Sequence, residues 1–204
     1  MPRSRFHKLP PEKQRAMLDA AGEAFAAHGF EGASYNPIIE GAQVSKGAMY
    51  YYFEDKSDLF VATARDALAP LLAMDTTPPA LESADAFWEA VQTFMEALWG
   101  ALSQNPRGMA LGRVALGATG EAGEAISLMI AGIGEVTTKW LRAGLEVGAV
   151  REDLPLELLS SMLLGLGQGF DTWMLSNMEG MEEAELERTL SALLPIFRGV
   201  VEPK

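Results

Sequence analysis

The chain contains no cysteine in its 204 residues, which excludes a disulfide framework and a thiolate metal site. Histidine is almost as scarce. His7 and His28 are the only two, and they supply no zinc-binding pair. His28 falls at an expected helix C-terminus, where a cation meets the dipole favourably. No serine, histidine and acid arrangement suggests nucleophilic catalysis. There is no phosphate loop, and Gly165-x-Gly167-x-Gly169 has the wrong spacing for a dinucleotide fingerprint. An enzyme built on this chain would have carboxylates alone, so no activity, catalytic residue, metal or cofactor is expected. No stretch of 18 uncharged apolar residues occurs, and no membrane span is expected. The polar, basic first residues are not followed by the apolar core of a signal peptide, and a cytoplasmic location is the default. Alternating β-branched runs are few. Ala, Leu, Met and Glu dominate instead, which favours an all-α fold.

Charge is present, but unevenly. The net charge is −12, which at first argues against a nucleic-acid partner. Residues 1–56 nevertheless hold seven Lys/Arg against seven Asp/Glu, while residues 57–204 hold nine against twenty-one. The first fifteen residues alone are +4. An acidic body serves solubility. It would also be held away from a polyanion that the neutral-to-basic part is free to approach.

Local signals divide the chain into about nine helices. The first runs from Pro11 to His28 on a stripe of Met17, Ala21 and Phe25, and Gly29 stops it. Ser34 and Asn36 are good N-caps, with Pro37 in the first turn of a short helix reaching Ala42. After the turn Gln43-Val44, Ser45 caps a second short helix ending near Phe53. Asp55 or Ser57 starts a longer one, 57–72, with Pro70 bending or ending it. Thr76-Thr77-Pro78-Pro79 reads as a linker. Apolar faces then mark helices at 83–103, from Asn105-Pro106 to Leu116, and from Ile126 to Gly148 after a loop at 117–123. A further helix follows Pro155, a turn spans Met178 to Met181, and the last helix is bent near Pro195.

All four tyrosines of the chain lie between Tyr35 and Tyr52. Successive side chains on a helix point about 100° apart, so Tyr50, Tyr51 and Tyr52 cannot all be buried. Outward phenols beside Ser45, Lys46 and Lys56 suit phosphate oxygens. Ser45 can cap its helix and offer a hydroxyl or N–H to phosphate. Lys46 can donate to guanine O6 or N7, and Gly47 and Ala48 are small enough to let the helix lie close to a groove floor. Arg3, Arg5 and Lys8 read either as a solvated tail or as an arm adding phosphate or minor-groove contacts.

Two short helices joined by a tight turn and packed on a longer one form a helix-turn-helix. The run Ala20-Ala21…Phe25…Gly29-Phe30…Ala33-Ser34, then Ile38…Ala42…Val44-Ser45-Lys46-Gly47…Tyr50…Tyr52-Phe53…Lys56…Leu59, resembles the TetR/AcrR family of one-component transcriptional regulators. Gln43 stands where the family usually has glycine, and Asn36-Pro37 is also atypical. The resemblance implies a three-helix DNA-binding domain over 1–56 and a helical ligand-binding and dimerisation domain over 57–204. It implies DNA contacts from Ser34, Tyr35, Asn36, Ser45, Lys46, Gly47, Ala48, Tyr50, Tyr51, Tyr52 and Lys56. Tyr50 and Lys56 would hold the backbone, with Tyr51 and Tyr52 at the groove edge.

One such unit offers too little interface for specific binding to double-stranded DNA, so a homodimer is expected, joined through the apolar stripes of the last two helices. Glycines at 108, 112, 132, 134, 144, 165, 167 and 169 fall inside expected helices, where each costs about 1 kcal/mol relative to alanine. They serve close packing or, with Phe94, Met95, Trp99, Met109, Met129, Trp140, Met162, Phe170 and Trp173, an adaptable apolar cavity for a small effector. Arg113 is one cation able to neutralise an anionic head; a surface salt bridge is the plainer role for it, as for Arg107 and Arg142. The reading is a ligand-responsive regulator, a repressor released by a lipophilic effector. The alternative is a small-molecule carrier or protein-binding adaptor that kept the fold without binding DNA.

Overall fold

A computed structural model describes residues 2–177 and 181–203, with their side chains apart from those at 116, 125, 128–131, 175 and 183. Met178, Glu179 and Gly180 of the expected turn therefore lie outside the described residues. The described residues hold ten α-helices and one 3-10 turn, with no strand. Among them no helix is long and apolar enough to cross a membrane, and no three His, Asp or Glu side chains could hold a metal ion together. Compactness divides the chain into two units, Met1–Ala73 with Ala101–Met129, and Met74–Gly100 with Ile130–Lys204.

The first unit begins with the 3-10 turn Phe6–Lys8 and continues into α1, Pro11–Gly32. Gly29 inside α1 has φ 68°, so the regular helix breaks where the glycine stands and a last turn follows the kink. Next come α2 (Tyr35–Gly41), α3 (Lys46–Tyr52), α4 (Lys56–Ala67) and the single turn α5 (Ala69–Leu72). The expected helix 57–72 is thus two, because Pro70 lacks the N–H that would continue it; this accounts for the tenth helix. α7 (Pro106–Leu116) completes the unit against α1 and α4. Met17, Phe25, Ile38, Met49, Phe53, Leu59 and Phe60 are all sealed in one core. Phe60 meets Phe25 edge-on at 4.9 Å and Phe30 at 5.2 Å between centroids, which ties α4 to α1.

The second unit contains most of α6 (Ala84–Ser103) and α8 (Gly120–Glu146), with α9 (Leu156–Asn177) and α10 (Glu183–Val201). Its sealed core is Phe87, Trp88, Leu141, Val150, Leu159 and Val201. α8 starts at Gly120, inside the loop expected at 117–123. Gly123 lets the preceding turn fold onto the helix, since a Cβ there would sit 2.6 Å from the Ala118 carbonyl oxygen. The helical glycines divide into two kinds. A Cβ at Gly144 would meet Val150 at 2.5 Å and Phe87 at 2.9 Å, so that glycine serves close packing. Gly132, Gly165, Gly167 and Gly169 face nothing within 4 Å.

Asp171 on α9 is a solitary acid: among the described residues its carboxyl has no hydrogen-bond or ion-pair partner. Asp171 is exposed on its outer side, but the protein atoms crowded around its carboxyl disfavour the charged form and push it up to about 6, against an ordinary value near 3.9. The folded protein therefore holds the proton more tightly than the unfolded chain. The benefit of the neutral form is complete below about pH 4 and lost as pH rises through about 6. Asp171→Asn should raise the melting temperature at pH 7.5, with a gain that shrinks toward pH 4. The side chain retains solvent access, so the gain is smaller than for a sealed carboxylate. A pH series of thermal melts on both proteins checks this.

Candidate nucleic-acid interface

α3 is seven residues long and is oriented by its anchors. Met49 and Phe53, one turn apart, are fully buried and fix the inward face. Relative to Met49, Tyr50, Tyr51 and Tyr52 lie about 100°, 200° and 300° around the helix. Tyr51, opposite the anchor, is 48% exposed and Tyr50 is 44% exposed, while Tyr52 turns back and is half-buried against Phe6. Lys46 and Gly47 are exposed on the same outer side, and Ala48 is half-buried. Ser45 caps the helix, its hydroxyl accepting from the Ala48 N–H at 3.1 Å.

α2 starts in the same way. The Ser34 hydroxyl accepts from the Asn36 N–H at 3.3 Å, and both residues are exposed. Tyr35 differs from the other expected DNA contacts. Its ring packs on Tyr50 at 5.3 Å, and its hydroxyl is buried without a partner. Burial, and then the neighbouring Tyr50, Asp55 and Asp58, push its ionisation upward, so it stays a neutral phenol. In this arrangement that hydroxyl is not at the surface. Lys56 is also engaged: its ammonium donates to the Glu31 and Ala33 carbonyls at 3.1 and 3.3 Å and lies 4.8 Å from the centre of the Phe30 ring. It closes the end of α1 and keeps one of its three N–H donors.

The turn between α2 and α3 is a Schellman motif. Val44 N–H donates to the Ile39 carbonyl, Gln43 N–H donates to Glu40, and Gln43 has φ 53°. Gly148 ends α8 with φ 70° and the same bonding, to Gly144 and Leu145. The first unit, the head, thus uses glutamine where the second unit, the body, uses glycine. A left-handed conformation costs a non-glycine residue about 1–2 kcal/mol, part of which glycine returns through its freer unfolded state. Gln43→Gly should therefore stabilise the protein by about 0.5–1 kcal/mol in urea unfolding. A midpoint that falls would contradict the strain.

The residues before α1 are not a loose tail. Arg3 N–H donates to the Tyr52 carbonyl at 2.9 Å, and its guanidinium donates to Tyr50 O at 3.3 Å. Phe6 is only 3% exposed and its ring packs, tilted, on Phe53 with centroids 4.9 Å apart. Arg5 lies 4.5 Å from the centre of the Tyr51 ring.

Sequence reasoning also missed the partners of Arg107. Its guanidinium pairs with Asp19 on α1, donates to the Leu18 carbonyl at 2.8 Å and lies 3.5 Å from Asp66 on α4. Beside it Asn105 caps α7 through Gly108 N–H and donates to the Ala67 carbonyl at 2.6 Å. The start of α7 therefore fastens α1 to the end of α4. Gly22 gave a faint hint of this, since only a residue without a Cβ leaves room for the Arg107 Nε at 2.9 Å.

The expected effector residues fall in both units. Met109 and Arg113 belong to the first unit, and the side chain of Met129 lies outside those described. In the second unit Phe94 packs on Trp140 at 5.2 Å, and Trp99 meets Phe170 edge-on at 5.7 Å. Met95 is half-buried, and the Trp140 indole N–H donates to Thr76 O at 2.9 Å. Met162 and Trp173 instead lie exposed on α9, with Leu158 and Leu166.

Residues 17–63 match the family model described as bacterial regulatory proteins, tetR family. The repressor AcnR of Corynebacterium glutamicum is 38% identical over 60 residues, which cover 29% of this chain and 32% of AcnR. The regulator RutR of Escherichia coli K12 is 42% identical over 65 residues, 30% of this chain and 31% of RutR. The match spans about a third of the length of these relatives, both named as regulators of transcription. In fold, the regulator FadR of Bacillus subtilis, solved in complex with stearoyl-CoA, superposes with a TM-score of 0.69. That superposition covers 92% of this chain and 98% of FadR at 19% identity.

Proposed function

We propose that this chain, whose residues 17–63 match the tetR family model, is a ligand-responsive, DNA-binding transcriptional regulator, a repressor that occupies a palindromic operator as a dimer in the cytoplasm. One observation carries the reading: α3 is anchored by Met49 and Phe53 and turns Lys46, Gly47, Tyr50 and Tyr51 outward together. That is a lysine able to read guanine, a gap for close approach and two outward phenols able to donate to phosphate oxygens. Ser34, Asn36 and Ser45 add donors at the two helix starts. The half-sites lie about 34 Å apart, one helical turn. The second copy docks on the exposed apolar stripe Leu158, Met162, Leu166 and Trp173 of α9, with Ile196 of α10.

The effector is small and lipophilic, and it lies in the second unit among Phe94, Trp99, Trp140 and Phe170. The stearoyl-CoA held by Bacillus subtilis FadR supports that chemical class. Release follows if the effector prefers a shape in which the Asn105–Ala67 and Arg107–Asp66 contacts between α7 and α4 are altered, because a ligand shifts an equilibrium only by its differential affinity. The test is titration against a mixed library of genomic duplexes at two salt concentrations. A regulator selects a palindrome and weakens steeply with salt. A carrier or adaptor, which the net charge of −12 would suit, selects nothing.

A further inference from the structure

We propose that Arg5, held on Tyr51 by a strap that closes the end of α3, is a further phosphate-binding group of the head. This rests on the DNA-docking reading of α3 and adds to it a contact from outside the helix-turn-helix.

A helix of seven residues leaves most of its carbonyls without intrahelical partners. The strap answers that need at the C-terminus of α3. Arg3 supplies a main-chain donor to Tyr52 and a side-chain donor to Tyr50, and its positive charge lies at the negative end of the helix. Phe6 fixes the other side of the strap. Its ring is buried against Phe53, the residue that also anchors α3. Arg5 lies between these two attachments, so the position of its backbone is set by contacts on both sides.

Its side chain is set as well. The guanidinium lies over the ring of Tyr51, the most exposed of the α3 phenols and the one opposite the buried anchor. A cation over a ring face is held there without spending any of its hydrogen bonds, so the N–H donors of the guanidinium remain for another partner. Among the described residues the Arg5 guanidinium makes no hydrogen bond or ion pair, in a chain with twenty-eight acidic residues. A fork of N–H donors, pre-oriented on the outer face of the reading helix and unmatched by carboxylate, is suited to the paired oxygens of a backbone phosphate. Because the ring contact already restricts the side chain, less conformational entropy is lost when phosphate binds.

The experiment measures affinity for a selected duplex and for an unrelated one across a salt series, using wild type, Arg5→Ala, Arg5→Lys, Tyr51→Ala and the double variant Arg5→Ala/Tyr51→Ala. Arg5→Ala should weaken both duplexes by about fivefold and lower the slope of log affinity against log salt by about one. Arg5→Lys should restore the slope and only part of the affinity, because ammonium keeps the charge without the fork. In the Tyr51→Ala background, Arg5→Ala should cost less than about twofold, the signature of a coupled pair. An Arg5→Ala protein with wild-type affinity and slope overturns the proposal, as does an equal loss with and without Tyr51. If wild type binds duplexes with a steep salt dependence in those cases, the strap proposal alone falls. A wild type that binds no duplex takes the DNA-docking reading down with it.

Discussion

Phe60→Ala should remove about 3–5 kcal/mol of folding stability. Phe60 is fully buried, and its ring is the contact that α4 makes with both Phe25 and Phe30 on α1. Truncation removes the apolar burial, leaves a cavity between the two helices and abolishes two aromatic contacts worth about 0.5–1.5 kcal/mol each. A domain of this size has about 5–15 kcal/mol in all, so the variant should populate unfolded head at 37 °C. Its DNA affinity should fall with temperature more steeply than wild type, because the defect is in folding and no contact with DNA is removed. Urea unfolding gives the number. A loss below about 1 kcal/mol would mean that the α1–α4 joint is not where the head is held together.

Lys46→Ala should change what the protein prefers as well as how tightly it binds. Lys46 is exposed beside Gly47 at the start of α3, the end of a recognition helix that reaches base edges. A well-made lysine–guanine contact discriminates by about 1–3 kcal/mol, so the variant should accept all bases at one position of each half-site. Tyr50→Phe should act differently: removing one phenolic hydroxyl weakens every sequence alike, and the preference profile is kept. Parallel selection from a randomised duplex pool reads both. An unchanged profile for Lys46→Ala would move base recognition elsewhere on the head.

The parts of this molecule that were legible in the sequence are those whose signal is local. Ser34, Ser45 and Asn105 cap the helices they precede because a short side-chain acceptor meets an unpaired N–H two or three residues on. Gly29 breaks α1 because glycine alone takes its conformation freely, and Gln43, standing where the family usually has glycine, is strained for the converse reason. The outward turn of Tyr50 and Tyr51 follows from the helical period once Met49 and Phe53 are buried. What stayed hidden depends on distant partners. Nothing near Arg107 in sequence reveals that it reaches Asp19, and nothing near Arg3 reveals that it bonds the carbonyls of Tyr50 and Tyr52. The burial of the Tyr35 hydroxyl is likewise set by tertiary packing. The effector residues were proposed from composition, and composition does not say that Met162 and Trp173 share an exposed face while Trp99 meets Phe170.

The central claim, that α3 is the surface which docks on DNA, is tested most directly by amide hydrogen exchange with and without a selected duplex at saturation. The account predicts slowed exchange at residues 34–36, across 45–52 and in the strap at 3–6, with the exposed stripe of α9 unchanged. Exchange across α3 that is the same with and without bound duplex would contradict it.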